Sequence, residues 1–202
     1  MSESTVIPLS EFKPFRQRFA AALLRLAGWH TVTAEPPGPK AVIVFYPHTS
    51  NWDFVIGMLY RIAVGFPAHW AAKHTVFRPP LGGLMRRMGG IPVDRRASHG
   101  MVGELSGEFE RAERLYLAIA PEGTRSRTDR WRSGFYHLAL HADVPIGLAF
   151  IDYPRREIGV GGYVRLCGEA EQDLQTLREF YATKQGRYPE KQGEIRFNII
   201  EQ

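Results

Sequence analysis

The 202-residue sequence has a single cysteine and no long apolar run. With Cys167 as the only cysteine, the chain forms no internal disulfide, which fits a reducing compartment. No uninterrupted apolar stretch reaches the ~20 residues that a membrane-spanning helix needs, and the first residues lack the basic-then-apolar order of a secretory signal. We therefore expect a cytoplasmic protein that does not cross a bilayer by itself.

The sequence also lacks a complete set of metal ligands and a nucleic-acid-binding motif. His137 and His141 have the spacing of a helical metal pair, but no acidic or cysteine residue nearby completes the set. We expect neither a metal ion nor a cofactor. The net charge of +5 favours anionic partners. The arginine clusters, however, belong to no recognisable nucleic-acid-binding module, so we expect no nucleic acid among those partners.

Short apolar runs alternate with helical patterns along the sequence. Residues 41–46, 115–120 and 144–151 have the composition of buried strands. Helices are predicted between them, at about 51–63, 101–112 and 134–142. This alternation predicts an α/β fold with a mostly parallel central sheet flanked by helices. Near the end of the sequence, the glycine pair at 161–162 predicts a hairpin between strands at 158–160 and 163–167.

The N-terminal region predicts an amphipathic helix. Large apolar residues recur every three or four positions, and arginines occupy other faces of the helix: Phe12, Phe15, Phe19, Leu23 and Leu26, with Arg16, Arg18 and Arg25. This helix could pack on the domain, or it could insert its apolar side into an anionic membrane leaflet. The proline-rich residues 35–39 predict a stiff linker. We divide the chain into an N-terminal helix with linker, 1–38, and a main domain, 39–202.

His48 and Asp53 follow the first predicted strand and allow two interpretations. Ser50 and Asp53 have the spacing of a helix-capping box, which is a structural role. If His48 instead lies in the loop before the cap, its ring can fold over the first helical turn toward Asp53. The carboxylate would then fix the imidazole tautomer and leave the other nitrogen free to accept a proton from a substrate hydroxyl.

Two arginine-containing segments could bind an anion. Residues 90–95 place Arg95 after a glycine turn, and residues 121–126 place Arg125 after the next predicted strand. Arginine can bind phosphate through a bidentate fork, and Gly123 lets the backbone approach a ligand closely. A solvated turn and a structural ion pair between Glu122 and Arg125 are the alternatives for these segments.

These segments, taken in order, resemble the glycerolipid acyltransferase superfamily, which includes the 1-acylglycerol-3-phosphate acyltransferases. The four matching blocks are His48-x-x-x-x-Asp53, Gly90-Ile-Pro-Val-Asp-Arg95, Pro121-Glu-Gly-Thr-Arg-Ser126 and Val144-Pro-Ile146. The resemblance covers about residues 40–150. It implies a catalytic dyad of His48 and Asp53. It also implies an acceptor site formed by Gly90, Arg95, Glu122, Gly123, Thr124, Arg125 and Ser126, and an acyl-side segment of Val144, Pro145 and Ile146.

The resemblance implies an O-acyltransferase of phospholipid biosynthesis. The donor would be acyl-CoA or acyl-carrier protein, and the acceptor would be a lysophospholipid such as 1-acylglycerol-3-phosphate. Attack of a hydroxyl on a thioester needs no cofactor. The basic surface would hold the enzyme peripherally on the inner face of an anionic membrane. Three alternatives remain: an acyltransferase for another hydroxyl acceptor, a thioesterase, and a non-catalytic lipid-binding protein.

Overall fold

A seven-stranded sheet forms the centre of the protein, whose structure is a computed structural model describing residues 13–93 and 100–197. The strands are β1 (His30–Thr33), β2 (Lys40–Tyr46), β3 (Ala68–Lys73), β4 (Gly90–Val93), β5 (Leu115–Ile119), β6 (Ile146–Asp152) and β7 (Glu157–Val164). Their order across the sheet is β1-β7-β6-β2-β5-β3-β4. The β6–β7 pair is antiparallel and the other pairs are parallel. The predicted α/β class with a mostly parallel sheet is confirmed.

Within the described residues, six α-helices flank the sheet: α1 (Pro14–Leu26), α2 (Asn51–Val64), α3 (Gly82–Arg87), α4 (Gly100–Arg111), α5 (Gly134–His141) and α6 (Ala170–Tyr181). Side chains of β2 alternate between two hydrophobic layers, as the period of a strand requires. Val42 and Val44 pack with α4, α5 and α6, whereas Ala41 and Ile43 face the opposite layer. No helix among the described residues is long and apolar enough to cross a membrane.

The N-terminal helix packs against α2 rather than standing apart from the domain. Leu24 is buried in a cluster with Ile56 and Tyr60 of α2. Strand β1 follows at once and pairs with β7 as an edge strand. The sequence analysis missed this strand, and the predicted division after residue 38 falls within one continuous sheet. Phe12, which the sequence analysis assigns to the same helix, lies outside the described residues.

The predicted hairpin through the glycine pair at 161–162 is wrong. Residues 157–164 form one strand, β7, and the tight connection lies earlier, between β6 and β7. Two of the glycines of β7, Gly159 and Gly161, serve close packing. A Cβ on Gly159 would lie 1.7 Å from the carbonyl oxygen of Val32, and one on Gly161 would lie 2.7 Å from the Phe180 ring. A strand glycine can mark such an approach as well as a turn.

Candidate active site

The functional candidates gather where β2, β5 and β3 end. These strands are parallel neighbours in the sheet, so their carboxyl ends meet at one edge. His48 follows β2, Glu122 follows β5, and Lys73 is the last residue of β3. Ligands of open α/β sheets bind at this edge. The predicted placement of His48 and Glu122 beside each other is therefore what the fold produces.

Asp53 serves both interpretations that the sequence left open. Ser50 caps α2 by accepting the backbone N–H of Trp52 at 3.2 Å. The Asp53 Oδ2 atom accepts the backbone N–H groups of Thr49 and Ser50, each at 2.8 Å. The same oxygen lies 3.2 Å from His48 Nδ1. The capping box is thus the device that holds the carboxylate beside the imidazole.

The two side chains of the dyad differ in exposure. The Asp53 side chain is fully buried, whereas 19% of the His48 side chain remains exposed. Within the described part of the chain, Nδ1 makes no aligned hydrogen bond, so its contact with Asp53 is an electrostatic one. In a structure without substrate, a histidine–carboxylate contact is often poorly aligned and becomes a good hydrogen bond only when substrate binds. With Nδ1 directed to the carboxylate, Nε2 is the nitrogen that can accept a substrate proton.

Glu122 holds the backbone of the histidine loop. Its two carboxylate oxygens accept the backbone N–H of His48 at 2.7 Å and that of Gly193 at 3.1 Å. Burial raises the pKa of Glu122 from 4.5 to about 8, and the nearby charge of Asp53 adds to the rise. The neighbours of Glu122 are thus backbone groups, not Arg125, which was the partner in the predicted structural ion pair.

A C-terminal segment, residues 185–197, fastens the site from outside. The backbone N–H of Tyr188 donates to the Thr49 hydroxyl at 3.2 Å, and the Tyr46 hydroxyl donates to the Gly193 carbonyl at 3.0 Å. Sequence analysis left the part after residue 193 without an assignment. The segment has no regular secondary structure except a short 3₁₀ helix, so its sequence contains no periodic pattern from which it could be predicted.

A polar cleft opens on one side of His48. It has a volume of about 350 Å³. Besides His48, its polar and charged wall includes Lys73, Thr75, Thr124 and Arg125, with the Gly123 backbone beside them. Gly123 has a φ of 65°, a conformation that favours glycine. Lys73 belongs to none of the four motifs, and from the sequence it could line the acceptor site or be an ordinary surface lysine; in the structure it lines the cleft.

An apolar cavity opens on the other side of His48. It has a volume of about 170 Å³ and lies between α2 and the sheet. Its walls include Phe45, Phe54, Met58, Phe66, Trp70 and Ala118. His48, Ala71, Ile119 and Ala120 line both this cavity and the polar cleft. The imidazole therefore stands where an apolar space meets a cationic one.

Several predicted site residues lie elsewhere. Val144, Pro145 and Ile146 stand at the amino end of β6, opposite the edge that carries His48, and they line neither the cleft nor the apolar cavity. All three residues are buried, and Val144 and Ile146 belong to the main hydrophobic core. They lie far from His48 because β6 begins at the edge of the sheet opposite the one where β2 ends. The structure therefore does not bring this segment to the site.

Three other predicted acceptor residues have different positions. Gly90 is buried at the start of β4, where a Cβ would lie 2.8 Å from the Trp70 ring, so it makes room for a wall of the apolar cavity. Ser126 is exposed, and its backbone N–H donates to the Thr124 hydroxyl. Arg95 lies outside the described residues. Among residues 13–93 and 100–197, no group of three metal-binding side chains could hold an ion.

Comparison with known proteins supports the reading of the motifs. Residues 29–147, more than half of the chain, match the sequence model of the Acyltransferase family. The chain belongs to this family. As an Acyltransferase family member it is an enzyme that transfers acyl groups, as the sequence analysis predicted.

A solved structure shares the fold of this acyltransferase. The 1-acyl-sn-glycerophosphate (LPA) acyltransferase PlsC from Thermotoga maritima superimposes with a TM-score of 0.56 at 16% sequence identity. The alignment covers 82% of this chain and 75% of PlsC. At this identity the likeness concerns the fold. No curated protein sequence matches the chain.

Proposed function

We propose that the enzyme transfers a fatty acyl group from an acyl thioester to the hydroxyl of a lysophospholipid such as 1-acylglycerol-3-phosphate. One observation carries the proposal: His48 lines both an apolar cavity and a cationic cleft. A fatty acyl chain needs an apolar channel and a phosphate needs cations, and the reaction joins the two at one carbonyl carbon. A thioesterase would need the cavity but not the cations.

The reaction requires a base that removes the proton of the acceptor hydroxyl and later gives that proton to the thiolate leaving group. His48 Nε2 removes the proton from the acceptor hydroxyl as its oxygen attacks the thioester carbonyl carbon. The buried Asp53 carboxylate stabilises the imidazolium formed in this step. The tetrahedral intermediate then expels the thiolate and forms the ester. The imidazolium returns its proton to the thiolate, so the enzyme ends unchanged and needs no cofactor for this step.

The two spaces on either side of His48 suggest how the substrates bind. The acyl chain lies in the apolar cavity between α2 and the sheet, with its carbonyl carbon near the imidazole. The acceptor phosphate contacts Lys73 and Arg125 in the cleft. Arg95 would add a further phosphate contact, as the resemblance implies. Glu122 contributes to acceptor binding indirectly, because it holds the loop that carries His48.

Helix α1 supports a peripheral position on the inner face of an anionic membrane. Phe15 is 79% exposed and Leu26 is 85% exposed, although both are large apolar residues. Exposed Arg16, Arg18 and Arg25 lie on the same helix and could contact lipid phosphates. Because α1 packs on α2, which carries Asp53, membrane contact would place the active site close to its lysophospholipid substrate.

The test is an acyl-transfer assay with a radiolabelled acyl group. Acyl-CoA and acyl-carrier protein serve as donors, and lysophospholipids and other hydroxyl compounds serve as acceptors. His48→Ala should lower kcat by ~10²–10⁴-fold, the usual contribution of a general base. His141→Ala, which removes an exposed histidine from α5, is the matched control and should retain full activity.

Each outcome of the assay has a distinct meaning. A labelled ester that depends on His48 establishes transfer and names the acceptor. Free fatty acid alone, in equal amount with and without acceptor, identifies a thioesterase instead. Near-normal turnover by a folded His48→Ala protein would overturn the mechanism. Lipid binding without any acyl product favours the non-catalytic alternative.

A further inference from the structure

The second oxygen of the Asp53 carboxylate has a partner from a distant part of the chain. The Tyr153 hydroxyl donates to Asp53 Oδ1 at 2.7 Å. The other oxygen, Oδ2, is engaged by His48 and by two backbone N–H groups. Because Asp53 is fully buried, no water competes for these contacts. The two oxygens are therefore distinguished by their partners, and the plane of the carboxylate is fixed.

Tyr153 is itself held by other parts of the fold. It lies in the turn after β6, 100 residues from Asp53 and beyond the segment that matches the family. Its ring meets the Trp29 ring edge-on, with centroids 5.1 Å apart and an angle of 85° between the planes. Its backbone N–H donates to the Gln185 carbonyl at 2.9 Å. The hydroxyl thus approaches Asp53 from a rigid support.

We propose that Tyr153 is a positioning residue that holds the Asp53 carboxylate with Oδ2 directed toward His48. The proposal rests on the proposed function, because it assigns a role within the same dyad. If the hydroxyl is removed, Oδ1 becomes a buried acceptor without this donor, and the carboxylate can rotate. The His48 imidazole would then face a carboxylate whose orientation and charge distribution differ from those in the wild-type protein.

The state of the Tyr153 hydroxyl suits a permanent donor. Burial raises its pKa above the ordinary value of 10.0, and the hydrogen bond to Asp53 and the Asp53 charge raise it further. The phenol therefore keeps its proton throughout the range in which a histidine base works. Charged and titratable groups around the dyad come from three other elements: Glu122 and Arg125 in the loop after β5, Lys73 at the end of β3 and Arg187 in the C-terminal segment.

The first test measures the dyad without any substrate. The imidazole titration of His48 is followed by NMR in wild type and in Tyr153→Phe, and the resonance is assigned by its loss in His48→Gln. We expect the midpoint to shift by roughly half a pH unit when the hydroxyl is removed. Tyr116→Phe is the matched control, since its hydroxyl donates to the Gly38 carbonyl far from the dyad and its loss should not move the titration.

A second pair of variants separates positioning from a general structural effect. In the Asp53→Asn background there is no carboxylate charge to position, so adding Tyr153→Phe should leave the His48 midpoint where Asp53→Asn puts it. The inference is overturned if wild type and Tyr153→Phe titrate alike, or if the shift is as large in the Asp53→Asn background.

A kinetic comparison of Tyr153→Phe with wild type depends on the proposed function, and its result is interpreted separately from the NMR titration. Tyr153→Phe should lower kcat roughly tenfold with KM unchanged, because a charge-assisted hydrogen bond is lost outside the substrate-binding surfaces. An unchanged kcat together with an unchanged titration rejects the positioning role. If wild type forms no acyl product from any donor, the proposed function fails, while the NMR comparison still decides what Tyr153 does.

Discussion

The two edges of the central sheet use buried polar groups in different ways. At the carboxyl edge, the buried side chains of Asp53 and Glu122 accept backbone N–H groups and hold the His48 loop. At the amino edge, the same strands begin among apolar residues such as Ile146, and the Tyr116 hydroxyl donates to a backbone carbonyl. The edges differ in what such a carboxylate holds: at the amino edge the buried Asp173 accepts the backbone N–H groups of Cys167 and Gly168, away from the cleft and the apolar cavity.

Burying these carboxylates has a physical cost, and the two at the carboxyl edge differ in how it is compensated. A buried carboxylate is unfavourable unless hydrogen bonds or neighbouring charges compensate its desolvation. Asp53 has several such donors, while Glu122 has two and its pKa rises to about 8. The contrast between the edges can be tested by variants that affect stability at one and activity at the other.

The largest change in stability is expected at the amino edge. Ile146 is fully buried, and Ile146→Ala should lower the free energy of unfolding by ~2–5 kcal/mol through lost burial and a cavity. Because the residue lines neither the cleft nor the apolar cavity, kcat of the folded protein should stay unchanged. Denaturant unfolding and acyl transfer measure the two effects. A lowered kcat with unaltered stability would indicate that residues 144–146 contribute to the active site after all.

A pH-dependent change is expected at the carboxyl edge. The folded-state pKa of Glu122 is about 8 against 4.5 for the free group, so the folded protein binds this proton more tightly. The stabilisation that the protonated group contributes is complete below about pH 4.5 and is lost as pH rises through about 8. Wild-type stability should therefore decline across this window, by at most ~1.4 kcal/mol per pH unit from this group.

Glu122→Gln should remove that decline. Glutamine stays neutral at every pH. Its amide has one acceptor oxygen, so one of the two backbone N–H groups loses its acceptor, which lowers the free energy of unfolding by an amount that does not depend on pH. Unfolding free energies measured from pH 5 to pH 9 should then converge or cross as wild type loses stability. Parallel curves for wild type and variant would contradict the raised pKa.

The smallest effect is expected in the cleft. Arg125→Ala should raise KM for an anionic acceptor about tenfold with little change in kcat, because the arginine would bind the phosphate before and during the reaction. Arg127→Ala is the matched control, since this exposed arginine lies two residues away and does not line the cleft. Equal effects of the two variants would indicate general surface charge rather than a phosphate contact.

Local patterns predicted those elements whose residues determine them locally. Ser50 and Asp53 define the start of α2, and the apolar run before His48 defines β2. The hairpin prediction failed because the glycine pair at 161–162 marks neither a turn nor a break, and β7 contains glycines where β1 and Phe180 approach closely. Such an approach depends on a neighbouring element and leaves no periodic signal in the chain.

The sequence by itself determined the α/β class, the four ordered motifs and the pairing of His48 with Asp53, because each of these depends on residues close together in the chain. Only the tertiary structure decided that Glu122 holds the His48 loop, that Lys73 lines the cleft, and that residues 144–146 stand at the far edge. It also brought Tyr153 to Asp53 across 100 residues. Contacts at such separations are set by strand order and core packing, which no local spacing encodes.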